Sequence, residues 1–374
     1  MTALLFALAV GAAVSWHFSS LVVVPDHSPW SEDLEVESVS ADRIVLSKSE
    51  ATSRPGYYGL VWDAGHAVIG PIAREGEDSV TRRLSEVRGY LVPGVEAGFE
   101  SNVYSGNPRE ARGLPFRTVE VPDELGPMPA WLIPAAGPTW AIVVHGINDD
   151  REIGHRLSPL LHRAGMPSLT ISYRDDLGAP SSPDGLHHQG QTEWRDLEAA
   201  ARYALHHGAS RLVLIGYSMG GALITQFMEQ SPLSSQVAAL VLDAPALDWK
   251  AILEFNAERM SLPGFFALPV EWAIDARISP DWNSLNALEH PESFDLPVLL
   301  FHGEEDKVIP IETSDEFAAE LPGSVTYYQV PLAGHTQSWN VNPHLYERRL
   351  ERFLEQADIA QESQIRSPRR GKAR

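Results

Sequence analysis

The residues best suited to chemistry lie in Gly216-Tyr217-Ser218-Met219-Gly220, within the longer run RLVLIGYSMGGAL. An apolar, strand-like stretch precedes the serine and a helix-like stretch follows it. A serine on such a strand-to-helix turn is lifted clear of its sheet in a strained backbone conformation. Neighbours two positions away crowd that turn, which explains glycine at 216 and 220. The helix that follows aims the positive end of its dipole at the site, where it favours a developing oxyanion. A serine hydroxyl is a poor nucleophile until a base accepts its proton. The chain must therefore also supply a base, and an acid to orient it.

Fourteen histidines are present, so the base is chosen by position. After Ser218 the candidates are His290, His302, His335 and His344. His335, in VPLAGHTQSW, follows the last strand-like run, where a loop can return it to the serine. His302 ends a strand and reads as a packing residue, and His344 falls at a helix start. For the acid, Asp306 in LLFHGEEDKVIP follows an apolar strand by a short loop, with Glu304 and Glu305 beside it. Asp243, which ends the strand AALVLD, is its rival. The segment AIVVHGIND places His145-Gly146 at a strand end, so that loop backbone can face a substrate oxygen. The expected oxyanion donors are the amides of Ile147 and Met219, with His145 holding the loop.

The elements that must position these residues are legible from about Trp140 onward. Short apolar runs (AIVVH, PSLTISY, RLVLIG, AALVLD, PVLLFH, VTYYQV) alternate with helical patterns. Between Glu193 and His207, Leu197, Ala200, Ala201, Ala204 and Leu205 form one helical stripe, and Gly208 is a stop. Continuous apolar strands separated by helices imply a doubly wound, mostly parallel sheet covered on both faces. About fifty residues after Asp243 contain no strand-like run but several aromatics, among them Trp249, Phe255, Phe265, Phe266, Trp272 and Trp282. They read as a helical lid insertion at about 246–294, or else as helices packed on the sheet edge. Residues 26–138 carry short strands bounded by Gly and Pro, an N-terminal β-rich extension leading into the first strands of the main sheet. The main domain then spans 139–358. Residues 359–374, ending in RSPRRGKAR, read as a disordered basic tail.

The N-terminus, ALLFALAVGAAVSWHFSSLVVV from Ala3 to Val24, has no formal charge. Its length of about 22 residues at ~1.5 Å each is enough to span a bilayer core. A single membrane anchor through residues 3–24, a cleaved signal peptide within residues 1–25 and a buried helix are the three readings. His17 and Ser15, Ser19 and Ser20 count against the anchor, and a missing basic n-region counts against the signal. The acidic flank (Asp26, Glu32, Asp33, Glu35, Glu37) has no Lys or Arg before Arg43, which favours a body outside the cytoplasm. Secretion after cleavage is the alternative.

Across 374 residues, 29 basic against 50 acidic side chains give a net charge of −21. That excludes a nucleic-acid partner, which needs a basic face. With no cysteine, disulfides, thiolate catalysis and cysteine zinc sites are excluded. No cofactor and no metal are expected, and oligomeric state is not legible.

HGIND, GYSMGG, HGEEDKVIP and AGH, in that order and spacing, resemble the α/β-hydrolase superfamily, in particular its bacterial esterase, lipase and serine aminopeptidase-like branch. The resemblance covers about Trp140 to Glu355. It implies an eight-stranded sheet, a triad of Ser218, His335 and Asp306, and metal-free acyl transfer. The chain order serine, acid, histidine is the order found in that fold. Asp175, Glu193 and Asp196, between a strand and the helix before the nucleophile, read as structural. Three functions follow as expectations: hydrolysis of a small-molecule carboxylic ester, peptide cleavage with Glu254, Glu258 or Glu271 holding a free amine, or a non-catalytic binding role.

Overall fold

A computed structural model describes the chain except residues 1, 29–33, 64, 262 and 367–374, and side chains are further undescribed at 2–10 and 358–366. Glu32 and Asp33 of the acidic flank therefore lie outside the described residues. The chain opens with helix α1 (Thr2–Val23). Strands β1 (Leu34–Val39), β2 (Arg43–Ser47), β3 (Tyr58–Trp62), β4 (Gly65–Glu75), β5 (Ser79–Arg88) and β6 (Glu96–Glu100) follow, and close into a barrel ordered β1-β2-β5-β4-β3-β6. Period-two burial drives closure: Val36, and Ile44 and Leu46, point inward to a core shared with Tyr58, Leu60 and Ile69.

Helix α2 (Pro108–Arg112) leads to a second sheet built from β7 (Arg117–Val121), β8 (Met128–Ile133), β9 (Thr139–Val144), β10 (Ser168–Ile171), β11 (Arg211–Tyr217), β12 (Val237–Asp243), β13 (Val298–Gly303) and β14 (Val325–Val330). Its order is β14-β13-β12-β11-β9-β10-β8-β7. Strands β9 to β14 pair in parallel and β7 and β8 are antiparallel additions. The main sheet thus starts at Arg117, not at residue 139. Strands β7 and β8 are joined without a helix, so in sequence they share the texture of the barrel strands.

Alternate residues of the central strands feed two cores. Val144, Leu214, Leu242 and Leu300 face α4 (Trp194–His206), α5 (Met219–Gln230) and α8 (Ile311–Glu320). Val143, Val213, Val241 and Leu299 face α3 (Ser158–Arg163) and α10 (Pro343–Arg366). The insertion between β12 and β13 holds α6 (Trp249–Arg259) and α7 (Ala267–Ile278), and α9 (Ser338–Val341) precedes α10.

One terminal expectation changes. Helix α10 continues to Arg366, past the boundary expected at 358, because ADIAQESQIR is rich in good helix formers. Residues 367–374 lie outside the described residues. Among the described residues no helix is long and apolar enough to cross a membrane. The described side chains of α1 pack on the insertion: Val23 joins Leu253, Ala267, Ile274 and Ile278 in one apolar cluster.

Candidate active site

Strand β11 is central in the sheet and buried almost throughout, and it ends at Ser218, whose φ of 51° and ψ of −120° lie where a non-glycine residue is strained. Neighbouring backbone holds it there. Ser218 N–H donates to the Asp243 carbonyl (3.2 Å), and the Ser218 carbonyl accepts from Gly221 (2.9 Å) and Ala246 (3.0 Å). The turn is as crowded as its glycines imply: a Cβ on Gly220 would sit 2.4 Å from the Val144 carbonyl oxygen.

His335 lies in the loop after β14, between two residues of positive φ, Leu332 and Thr336. Its Nε2 is 2.9 Å from Ser218 Oγ, and its Nδ1 is 2.8 Å from Asp306 Oδ2. Asp306 is set by the turn after β13. Its Oδ1 accepts from the amides of Val308 (2.8 Å) and Ile309 (3.0 Å), which leaves Oδ2 for imidazole. Glu304 and Glu305 beside it are exposed. Burial alone would raise the Asp306 carboxyl, but His335 and His302 beside it hold it well below the usual carboxylate range. It is ionised, and its network places the Nδ1 proton on His335, leaving Nε2 to accept from the serine.

The rival carboxylate, Asp243, turns elsewhere: its Oδ1 accepts from Ser338 Oγ at 2.7 Å, and burial pushes it up to about 6. His344 is exposed at the start of α10, and His290 pairs with Glu292 at 3.7 Å.

The loop after β9 passes over the serine. A Cβ on Gly146 would lie 3.0 Å from Ser218 Cβ, so a side chain there would push the serine out of place by a few tenths of an ångström. The Gly146 carbonyl is pinned by Tyr173 Oη (2.7 Å) and by His145 Nδ1 (2.8 Å). His145 Nε2 donates to Asp176 Oδ2 (2.8 Å), and its ring stacks on Tyr173. Burial opposes charge on His145, yet Asp176 outweighs it and raises the imidazole to about 9. Because C=O and N–H point opposite ways in a trans peptide, pinning the Gly146 oxygen also fixes the direction of the Ile147 N–H. Met219, the first residue of α5, presents its amide at that helix's N-terminus.

Several contributors escaped the sequence reading. His302 Nε2 reaches Asp306 Oδ2 at 3.3 Å, and its Nδ1 bonds Ser314 Oγ at 2.7 Å. The HGEED spacing, four residues from His302 to Asp306, is the one sequence signal for this. Arg156 is buried, with Nη1 on the Thr336 carbonyl (2.6 Å), Nη2 on the Ser101 carbonyl (2.8 Å) and its guanidinium 5.8 Å from the Tyr217 ring. It ties together the residues flanking both His335 and Ser218, and joins them to the end of the barrel. The barrel side of this contact is organised by Arg82, whose guanidinium donates to the carbonyls of Gly70, Thr52, Arg54 and Gly56. Asn340 Nδ2 then bonds the carbonyls of Tyr57 (2.7 Å) and Ser101 (2.8 Å).

Asp196 pairs with buried Arg174 at 2.6 Å, Glu193 accepts from the amides of His188 and Gly190, and Asp175 accepts from Ser182 N–H. All three carboxylates hold backbone. Glu254 and Glu258 are exposed, while Glu271 is buried.

Two cavities adjoin the site. An apolar one of about 460 Å³ has Ser218 and Ile147 on its wall, with Trp249, Ile252 and Phe266 of the insertion. A polar one of about 830 Å³ opens on the other side of the Ile147 loop, among Glu100, Asn102, Asp149 and Glu152.

A parallel sheet with Ser218 just past the end of its central strand, and His335 and Asp306 on later loops, defines the class: the chain has the α/β-hydrolase fold. The prolyl oligopeptidase family matches at residues 177–358, and a domain of unknown function matches at residues 35–100, the span of the barrel. An uncharacterised protein of Mycobacterium tuberculosis is 25% identical over 236 residues, 61% of this chain and 75% of that one. The lipase LipV of the same organism is 31% identical over 135 residues, 35% of this chain and 47% of the lipase. Among solved structures, the Pyrococcus furiosus esterase Pf2001 shares the fold at a TM-score of 0.56 and 19% identity, over 67% of this chain and 94% of that one.

Proposed function

We propose that the chain is a serine hydrolase that cleaves carboxylic esters by two-step acyl transfer. The observation that carries this reading is the hydrogen-bonded line from Ser218 Oγ through His335 to Asp306, with spacings of 2.9 and 2.8 Å. In the first step Ser218 Oγ bonds to the ester carbonyl carbon as its proton passes to His335 Nε2. The amides of Ile147 and Met219 stabilise the oxyanion, and Asp306 stabilises the imidazolium. Collapse breaks the carbon–alkoxy bond, and His335 returns the proton to the departing alcohol. Water then attacks the acyl-enzyme, giving its proton to His335. Release of the carboxylic acid restores the Ser218 hydroxyl. Helices α6 and α7 act as the lid over this chemistry.

The match to the prolyl oligopeptidase family favours a second reading, peptide cleavage at the same serine. The apolar cavity at Ser218 favours ester over peptide, since Glu254 and Glu258 lie exposed on the insertion and neither they nor the buried Glu271 stands on the cavity wall.

Fluorophosphonate labelling of the wild type, and none of Ser218→Ala, is the expected result. Turnover of p-nitrophenyl esters with no cleavage of aminoacyl amides then separates the two readings. A folded wild-type protein that takes no label would overturn both.

A further inference from the structure

The described part of α1 is fastened to the body at both flanks. Ser15, Ser19 and Val23, four residues apart, are buried in one stripe. Arg277 of α7 donates to Ser19 Oγ (3.1 Å) and Ser20 Oγ (2.8 Å), and its guanidinium lies 4.8 Å from the Trp16 ring centre. At the end of the helix the Val23 carbonyl accepts from His187 N–H (2.8 Å), and Val22 accepts from Gln189 Nε2 (3.3 Å). Three residues further on, Asp26 N–H bonds the side chain of Asn148 (2.9 Å), next to Ile147.

Fastened this way, α1 faces the insertion across the apolar cavity. Val14, Phe18, Leu21 and Val22 line one side, and Ile252, Leu253 and Val270 line the other, with Ser218 in the wall between them. Val14 and Leu21 are 48% and 60% exposed, unusual for large apolar side chains in a helix docked on a protein, and that exposure falls at the cavity. At about 460 Å³ the space has the size of a ligand site and far exceeds an acetyl group.

We propose that α1 is a wall of the acyl-binding site: a medium-length, straight acyl chain lies between α1 and helices α6 and α7, with its ester carbonyl at Ser218. The proposal rests on the acyl-transfer reading of Ser218 and adds the substrate class. Such a site is built by two segments from opposite parts of the chain, so chain-length preference is set by residues 14–22 as well as by the insertion. Each methylene buried there raises kcat/KM by up to about fourfold.

The test is kcat/KM of the full chain for p-nitrophenyl acetate, butyrate, octanoate and dodecanoate, repeated with Val14→Trp, Leu21→Trp and Arg277→Met. The first two fill the cavity from α1 and the third releases α1 from α7. The wild type is expected to prefer octanoate to acetate, and each variant to lower the octanoate-to-acetate ratio at least tenfold. Thermal melting checks that each variant is folded. A ratio unchanged in all three folded variants, alongside Ile252→Trp lowering it, would show a site built by the insertion alone and overturn the proposal. A fluorophosphonate-reactive protein with no chain-length preference would also overturn it while leaving the acyl-transfer reading intact. A protein that neither takes the label nor cleaves any ester would remove both.

Discussion

His302 Nε2 lies 3.3 Å from Asp306 Oδ2, the oxygen that also receives His335 Nδ1 at 2.8 Å. One carboxylate oxygen thus serves two imidazoles, while its partner oxygen is occupied by backbone amides. His302 is itself anchored by Ser314 and stands near the Ile309 carbonyl (3.3 Å). These contacts hold the Asp306 carboxylate alongside its bond to His335.

His302→Ala should therefore lower kcat by up to ~10²-fold, the scale of a slight misplacement of a reacting group. KM should change little, and His302→Gln should recover part of the loss by restoring a donor to Asp306. Steady-state kinetics on a soluble ester checks this. Loss confined to stability, with kcat intact in folded protein, would reduce His302 to a packing residue.

Asp306→Asn should lower kcat by ~10⁴-fold, because the amide cannot stabilise the imidazolium and favours the wrong tautomer. Asp243→Asn, acting on Ser338 instead, should cost far less. The reverse ranking would give the acid role to Asp243. Asp306 also carries a pH signature in stability. Its native carboxyl is held below the unfolded value of 3.8, so its stabilising contribution is present above that value and is lost as pH falls through the depressed native one.

Glu100 should show the opposite sign. Burial, with Glu152, Asp150 and Asp149 nearby, pushes its carboxyl from 4.5 up to about 8. Between those values the native state keeps a proton that the unfolded chain has released, so stability falls as pH rises through that window. Glu100→Gln should melt at a higher temperature than the wild type at pH 8, by about 2 kcal/mol equivalent, and the gap should close toward pH 4.5. A pH-independent difference would mean that Glu100 does not retain its proton.

Tyr173→Phe removes one of the donors that pin the Gly146 carbonyl, leaving His145 Nδ1 and the more distant Asp149 N–H. If that peptide aims the Ile147 amide at the oxyanion, kcat should fall by about tenfold or more with KM nearly constant, within the ~10²–10³ cost of losing an oxyanion donor outright. An unchanged kcat in folded protein would place the oxyanion contact elsewhere.

What the sequence made legible was local. The serine turn announces itself because glycine, strand and helix are contiguous around Ser218, and His335 and Asp306 each sit one short loop beyond an apolar strand. The helix α1 was harder, since an apolar stripe reads the same whether lipid or protein covers it. The contact of Ser19 with Arg277 appears only in three dimensions. Barrel closure was equally hidden, because β1 pairs with β6 across the length of the domain and short alternating strands carry no partner label. Arg82 and Arg156, charged yet buried, become intelligible only once the carbonyls around them are in place.

The barrel has a consequence for synthesis. Leu34 to Glu100 are contiguous, and their strands close on one another without borrowing an edge from the rest of the chain. Tyr57 and Asn340, joined across the barrel contact, are 283 residues apart. At ~5–20 residues per second, a ribosome delivers the second on the order of 15–60 s after the first. A finished barrel thus waits for the segment that carries His335. Among the partners it offers are the carbonyls of Tyr57 and Ser101, which water solvates freely until Asn340 and Arg156 replace it, while Val68 of β4 enters the apolar core of the main sheet. The part of the face met by amide and guanidinium groups can stand exposed on the nascent chain without inviting aggregation, which leaves Val68 as the apolar group awaiting cover.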